Sequence, residues 1–385
     1  IGGLLRKLND GTMHVNSSSL GQILFGLSAD GKSFTSKSLN MQANPIEDNL
    51  QEIMERFWSI ESLGIVDSVI DMKRSASDEE ALQHFEDTVR FENGKYVVSL
   101  PWKENVELND NRNQAIVRLK QLEKKLDCSP QQKSMYCDAM NEYMKLGLAE
   151  EVANEQIFDV NRRIRYLPHH GVYREEKTTS KMRCVFDASA KCRGEKSLND
   201  YLHVGPIIMP DILGVIVRFR YFPVALVSDV ARMYNSFLLN PDDRDVHRFV
   251  WRDCDDQIEP RTYRMNCVTF GVGPSGFLSE SCVHRHVDEF GKDFELLVEK
   301  NDIPGVNVPI NDLVKQSTYM DDVITGRFTN NEAIDLYRKL KSLFASADLN
   351  LRKFQSNSEV VMEAIPMVDR ANEESKSIGS SSKVL

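Results

Sequence analysis

Two adjacent carboxylates, Asp321 and Asp322, lie in an apolar stretch of high β-propensity that runs from Ser317 to Gly326. In a regular strand neighbouring side chains point to opposite faces, so only one of the two could face a site. A tight turn between two strands removes that restriction and would bring both carboxylates near one point. Because such close negative groups repel, we expect a cation, most simply Mg²⁺ with its preference for oxygen ligands. The alternative interpretation is a solvated turn.

A third carboxylate, Asp229, lies near the end of the apolar run Val224–Val230, a pattern typical of a buried strand. The next residues, Ala231–Phe237, predict a turn into a short helix. A single aspartate at such a position often caps a helix or belongs to a turn. It is also a position at which a catalytic carboxylate would be held rigidly beside a cleft.

Basic residues concentrate between residues 161 and 196, where ten Lys and Arg face four acids, a local charge of +6. Two predicted strands, 164–173 and 182–187, form a hairpin in this region, and the loop between them is basic. Lysine and arginine suit anionic phosphates, although a solvated hairpin tip explains the same pattern. The net charge of the whole chain, −10, argues mildly against nucleic-acid binding, but it does not show where along the chain the charges lie.

The composition is that of an ordinary globular protein, with 41% hydrophobic and 28% charged residues among 385. That length allows two or three domains, and no apolar run of about 18 residues predicts a membrane span. Seven scattered cysteines without a CxxC pair favour reduced thiols inside the cell. The chain begins with Ile1 rather than Met, which indicates a piece of something longer.

Hydrophobic periodicity supplies the elements that must position these residues. It predicts amphipathic helices over residues 46–60, 77–89, 111–126, 130–146 and 330–347. Strands are predicted over 20–26, 95–102 and 349–354. The glycine-rich stretch Phe270–Phe277 precedes a further helix that reaches Phe290, and the segment Glu299–Gln316 is expected to be a loop.

The order of these features resembles that of a reverse transcriptase. It comprises a basic hairpin, a strand with Asp-x4-Tyr, a glycine-rich turn before a helix, Tyr-Met-Asp-Asp, another helix and Arg-Lys. The narrower likeness is to the Pol polyprotein of BEL/Pao-type LTR retrotransposons, in which Phe270 replaces the glutamine of retroviral enzymes. It is carried by Tyr166–Tyr173, Arg183–Lys191 and Ser197–Pro206, and it is strong over residues 160–357.

The resemblance implies an α+β fold, a right-hand polymerase fingers–palm domain with an antiparallel palm sheet and helices. It implies the end of a retropepsin-like, peptidase A17-like domain over 1–40 and a mainly helical linker over 41–160. Fingers and palm would occupy 161–357, followed by a polar, disordered tail over 358–385. Since the chain stops before any thumb or RNase H domain, we expect a weak grip on primer and template.

The same likeness assigns catalytic roles. Asp229, Asp321 and Asp322, with the backbone carbonyl of Val230, would bind two Mg²⁺ ions, which Mn²⁺ could replace. Lys353 matches a lysine able to protonate the leaving pyrophosphate. The implied reaction is nucleotidyl transfer from a dNTP to a primer 3′-hydroxyl on an RNA or DNA template.

Nucleotide-binding roles are carried over in the same way. Lys181 and Arg183 match residues of the fingers that grip the triphosphate, with Lys177 a weaker candidate. Tyr234 matches the ring that lies under the sugar and excludes a ribose 2′-hydroxyl. Gly271, Met320 and Val230 would line the nucleotide pocket.

The implied partners are a template–primer, dNTPs and the other Pol domains (protease, RNase H and integrase) of a longer polyprotein, without a membrane. The implied location is cytoplasmic, in the virus-like particle of the element. Two alternatives remain open from the sequence. One is a catalytically silent fragment with residual nucleic-acid binding, and the other is an unrelated two-metal nuclease, which would need neither the basic hairpin nor Tyr234.

Overall fold

The computed structural model divides the chain into two compact units, Ile1–Met72 and Lys73–Leu385. It describes residues 74–153, 162–173, 182–192, 194–299 and 308–371, together with four strands between residues 4 and 39. The predicted helix over 46–60, the basic loop over 174–181 and the tail beyond 371 lie outside the described residues.

The strands of the first unit form a four-stranded antiparallel meander in the order β1-β2-β3-β4. Their bounds are β1 Leu4–Leu8, β2 Met13–Ser18, β3 Gly21–Leu27 and β4 Ser33–Leu39. The strand predicted over 20–26 is confirmed as β3. That this unit is the end of a protease domain stays a prediction.

The second unit has a mixed α+β architecture. Its helices are α1 Ala76–Thr88, α2 Arg112–Asp127, α3 Pro130–Lys145, α4 Ile212–Tyr221, α5 Ser275–Phe290, α6 Ile310–Ser317, α7 Asn330–Ala345 and α8 Glu359–Ala364. Its strands are β5 Arg90–Glu92, β6 Lys95–Val98, β7 Ala149–Glu151, β8 His169–Tyr173, β9 Met182–Phe186, β10 Val224–Val230, β11 Leu238–Leu239, β12 Arg248–Trp251, β13 Arg261–Met265, β14 Thr318–Tyr319, β15 Asp322–Arg327 and β16 Leu351–Gln355. Among the described residues, no helix combines the length and apolar character needed to cross a membrane.

A four-stranded sheet in the order β14-β15-β10-β16 positions the candidate acids. Strand β10 is antiparallel to both neighbours, and its register with β15 runs from Val224 opposite Arg327 to Asp229 opposite Asp322. Alternate β10 residues are buried, as expected for a strand with one face on the core. Helix α7 packs against this sheet with buried leucines at helical spacing, and a capping box formed by Thr329 and Glu332 defines its start.

Residues predicted as a linker pack within the second unit. Strand β6 lies between β5 and β11 and is parallel to β11, while β7 is antiparallel to β13. Helices α2 and α3 contact strands β12 and β9, respectively. The structure divides the chain between Met72 and Lys73, and the separate roles assigned to residues 41–160 and 161–357 stay predictions.

Two segments differ from their predictions. The expected loop over 299–316 contains helix α6, because Ile310, Leu313, Val314 and Ser317 recur on one buried face. The stretch 358–371, predicted as the start of a disordered tail, holds helix α8 and a 3₁₀ turn over Met367–Asp369. Helix α8 is held by apolar burial, since Val361 and Ile365 are fully buried, whereas Asp369 of the 3₁₀ turn accepts hydrogen bonds from Tyr337 and Lys341.

A buried histidine, His169, lies at the centre of an aromatic cluster formed with Tyr136, Phe186, Phe249 and Trp251. Its Nδ1 is 2.6 Å from the Tyr136 hydroxyl, and its Nε2 is 3.0 Å from the Val250 carbonyl. Burial lowers the pKa of His169 to about 4, because the charged imidazolium is poorly solvated there.

We predict that His169 makes the folded state sensitive to acid. The unfolded chain binds the proton near pH 6.5 and the folded chain only near pH 4, so the stabilisation present above pH 6.5 is lost as pH falls through this window. Across this pH window the contribution of His169 to the free energy of unfolding changes by on the order of 3 kcal/mol. Urea unfolding at pH 7 and pH 4.5 should show a smaller pH effect for His169→Gln, with the exposed His170→Gln as control. Equal pH effects in His169→Gln and the unsubstituted protein would contradict this assignment.

Candidate active site

A cleft of about 220 Å³ lies at the end of the central sheet where β10 terminates. Its walls come from α3, β9, the residues after β10, Phe270, the turn between β14 and β15, and β16. The charged side chains that line it are the basic Arg183, Arg232, Arg352 and Lys353 and the acidic Glu142, Asp229 and Asp321. The cleft is therefore a mixed-charge site in which four cations face three carboxylates.

The turn between β14 and β15 presents Asp321 to this cleft. It consists of the two residues Met320 and Asp321, of which Met320 has a positive φ of 55°. A positive φ at the first of two loop residues matches the type II′ hairpins that suit the twist of paired strands. The Val230 N–H donates to the Asp321 carbonyl at 2.7 Å, which fixes the turn against the end of β10.

The three predicted carboxylates gather at this end of the sheet, but they do not all line the cleft. Asp229 and Asp321 do so, together with Val230 and Met320. Asp322 lies opposite Asp229 in the strand register, and cross-strand partners share a face of the sheet. Its side chain is exposed and is not part of the cleft wall.

An irregularity in β16 brings two basic side chains to Asp229. The register with β10 shifts between Val227 and Asp229, which leaves one extra residue on β16, and Lys353 there has a positive φ of 55°. Consecutive residues of a regular strand would point to opposite faces. Here Arg352 Nε and Lys353 Nζ both approach Asp229 Oδ2, at 3.2 and 3.5 Å.

Each aspartate of the cleft has a basic side chain beside it. Arg183 Nη2 lies 3.9 Å from Asp321 Oδ2, so each cleft aspartate has a cationic neighbour. Throughout the described ranges, no three or more His, Cys, Asp or Glu side chains converge into a group able to hold a metal. The oxygen donors of Asp229 and Asp321 nevertheless suit a hard divalent cation such as Mg²⁺, with Asp322 and the Val230 carbonyl adjacent in the chain.

An aromatic wall faces the acids. The Tyr234 and Phe270 rings pack with centroids 4.6 Å apart, and the Arg183 guanidinium lies 5.6 Å from the Phe270 centroid. Burial, assisted by the negative charges of Asp321 and Glu280, raises the pKa of Tyr234. The phenol is therefore neutral at physiological pH and contributes bulk rather than charge to the cleft.

Gly271 has a different role from the one predicted. It does not line the cleft, and a Cβ at this position would lie 1.9 Å from the Phe186 carbonyl oxygen. Its φ of 104° is one that L side chains rarely adopt. The Phe186 N–H donates to the Phe270 carbonyl at 3.1 Å, so Gly271 permits the close approach that carries Phe270 into the wall.

Sequence reasoning missed several cleft residues. Glu142 on α3 and Arg232 after β10 form an ion pair across 90 positions of the chain. Nothing local in the sequence marks that pairing. Arg352, by contrast, is adjacent to Lys353, and its position in the Arg-Lys motif could have indicated a role beside Asp229. The predicted Lys181, with Lys177, lies outside the described residues.

No protein-family model matches this chain, and no curated protein matches it either.

We predict that Gly271→Ala destabilises the second unit by about 2–4 kcal/mol, since it combines an unfavourable φ with a clash against backbone. The matched control is Gly147→Ala, at a φ of 68° with nothing within 4 Å of the added Cβ. Gly147→Ala should lower the free energy of unfolding by only about 1 kcal/mol. The free energy of unfolding of both variants can be measured with urea. Equal decreases in the two variants would show that Gly271 is not required for the close approach to Phe186.

Proposed function

We propose that this chain contains the fingers and palm of an RNA-directed DNA polymerase of the BEL/Pao retrotransposon type. The observation that carries the proposal is the convergence of Asp229 and Asp321 with Arg183, Lys353 and Tyr234 on one cleft. These residues are separated by up to 170 positions in the sequence, and they belong to different sequence motifs. Such a set matches what nucleotidyl transfer needs, namely positioned charge rather than covalent chemistry.

Asp229 and Asp321 would hold the divalent cations, with Asp322 and the Val230 carbonyl as further oxygen donors. When bound, Mg²⁺ would lower the pKa of the primer 3′-hydroxyl and neutralise charge on the triphosphate. The protein's own contribution is rigidity. The Val230–Asp321 hydrogen bond and the β10–β15 register fix the backbone at Asp229 and Asp321, from which the two carboxylates extend.

The basic residues of the cleft would bind the polyphosphate. Arg183, on β9 of the hairpin, has a guanidinium that can fork onto phosphate oxygens, and its side chain is about one-third exposed. Lys353 offers an ammonium group next to Asp229, where it could give a proton to departing pyrophosphate. The sequence resemblance assigns Lys181, which lies outside the described residues, to the same triphosphate-binding role.

The Tyr234–Phe270 wall would select the sugar. Tyr234 packs against the Phe270 ring, with centroids 4.6 Å apart. A ring packed in this way would resist displacement by a ribose 2′-hydroxyl, so it would favour dNTPs over rNTPs. A nuclease would have no use for this selection, which is why we prefer a polymerase.

The test is incorporation of dTTP on primed poly(rA) in Mg²⁺ by the full chain. We expect incorporation to fall by roughly 10²–10³-fold or more in Asp229→Asn and in Asp321→Asn, because each removes a charged metal ligand. Asp256→Asn, an exposed aspartate outside the cleft, is the matched control and should retain activity.

The alternatives predict different results. A chain that folds and binds the primed template without incorporating dTTP would favour the silent fragment. Degradation of the template in the absence of dTTP, abolished by the same two substitutions, would favour a nuclease. Incorporation that survives both substitutions would remove Asp229 and Asp321 from the mechanism.

A further inference from the structure

The carboxylate of Asp229 is contacted at one oxygen by two consecutive basic residues. Arg352 Nε donates to Oδ2 at 3.2 Å, and Lys353 Nζ lies 3.5 Å from the same atom. Arg352 is also the direct register partner of Asp229 across the β10–β16 pair. The backbone pairing therefore places the Arg352 side chain beside Asp229.

We propose that Arg352 is a resident counter-ion of Asp229 that competes with divalent cations for this carboxylate. This inference rests on the proposed function, because it concerns the same metal-binding aspartate. In the metal-free protein the guanidinium neutralises Asp229. When a divalent cation binds, the guanidinium withdraws towards solvent.

The geometry of the contact suits a displaceable counter-ion. Arg352 uses one nitrogen and one oxygen rather than the bidentate fork that makes arginine–carboxylate pairs strong. Its side chain is 38% exposed, so a path to water is open. An ion pair of this exposure is weak enough to exchange, unlike the fully buried Asp245–Arg248 pair of the same unit.

Charge repulsion supplies the driving force. Two cationic groups already approach Asp229 Oδ2, and a divalent ion added beside them would face both. Lys353 is held at a positive φ within the bulge and is the residue matched to proton donation. Arg352 lies in the regular part of the register, so its guanidinium could leave Asp229 without disturbing Lys353 or the bulge.

The experiment is a Mn²⁺ titration of the full chain, with free Mn²⁺ measured by its electron paramagnetic resonance signal. Arg352→Met should lower the Kd for Mn²⁺ about tenfold, because the competing charge is gone. Arg352→Lys, which keeps the charge, should bind like the unsubstituted protein. Arg338→Met removes an equal charge from an exposed position on α7 and should also leave the Kd unchanged.

Thermal melting provides a second measurement. The rise in Tm between EDTA and saturating Mg²⁺ should be larger for Arg352→Met than for the unsubstituted protein, since the metal then replaces a missing counter-ion. Arg352→Gln, with a polar side chain of similar reach, serves if the methionine variant does not fold.

The outcomes separate this inference from the proposed function. Mn²⁺ binding that is lost in Asp321→Asn and is unchanged or weaker in Arg352→Met would overturn the inference alone, and Arg352 would then be an orienting residue. Absence of Mn²⁺ binding in the unsubstituted protein and in every Arg352 variant would overturn both. Equal tightening in Arg352→Met and Arg338→Met would reduce the effect to net charge and would also overturn the inference.

Discussion

Repulsion between carboxylates is the constraint on which the arrangement of this cleft depends. Asp229 and Asp321 line one cleft at the end of a four-stranded sheet, with Asp322 opposite Asp229 in the register, and like charges gathered there repel unless positive charge lies nearby. Arg352 and Lys353 supply that charge to Asp229, and Arg183 supplies it to Asp321. In the proposed function the same basic side chains would give way to a metal ion and bind a triphosphate.

The rest of the unit serves to bring these charges together. The β10–β15 register aligns Asp229 with Asp322, and the extra residue in β16 turns Arg352 and Lys353 to one oxygen. Gly271 allows the chain to pass close to Phe186, so that Phe270 reaches the wall opposite the acids. Helix α3, which lies in the stretch predicted as a linker, contributes Glu142 and Tyr143 to the same cleft.

Regular periodicity was enough to predict most of the elements around the site. The apolar run of β10 and the apolar stripe of α7 predicted a strand and a helix, and both are confirmed. Helix α6 was missed because it has only eight residues and a single buried face, which is too short a pattern to separate from a loop. The order of 358–371 was missed because the polar character of the residues beyond it was extended to a stretch that is itself mostly apolar and includes the buried Val361 and Ile365.

The site itself could be predicted only in part, since motifs give residues and not distances. Asp229, Asp321, Arg183, Tyr234 and Lys353 all reach one cleft, as their motifs imply. The extra residue in β16 could not be predicted, because it is a property of pairing between distant strands. The role of Gly271 could not be predicted either, because it depends on the position of Phe186, 85 residues earlier in the chain.

The most direct measurement is the location of Mn²⁺ by anomalous diffraction in crystals grown with Mn²⁺ and a non-hydrolysable dNTP. We expect Mn²⁺ at about 2.0–2.2 Å from carboxylate oxygens of both Asp229 and Asp321, with the triphosphate near Arg183. Mn²⁺ bound elsewhere, with Asp229 still held by Arg352 and Lys353 in the presence of the nucleotide, would contradict it.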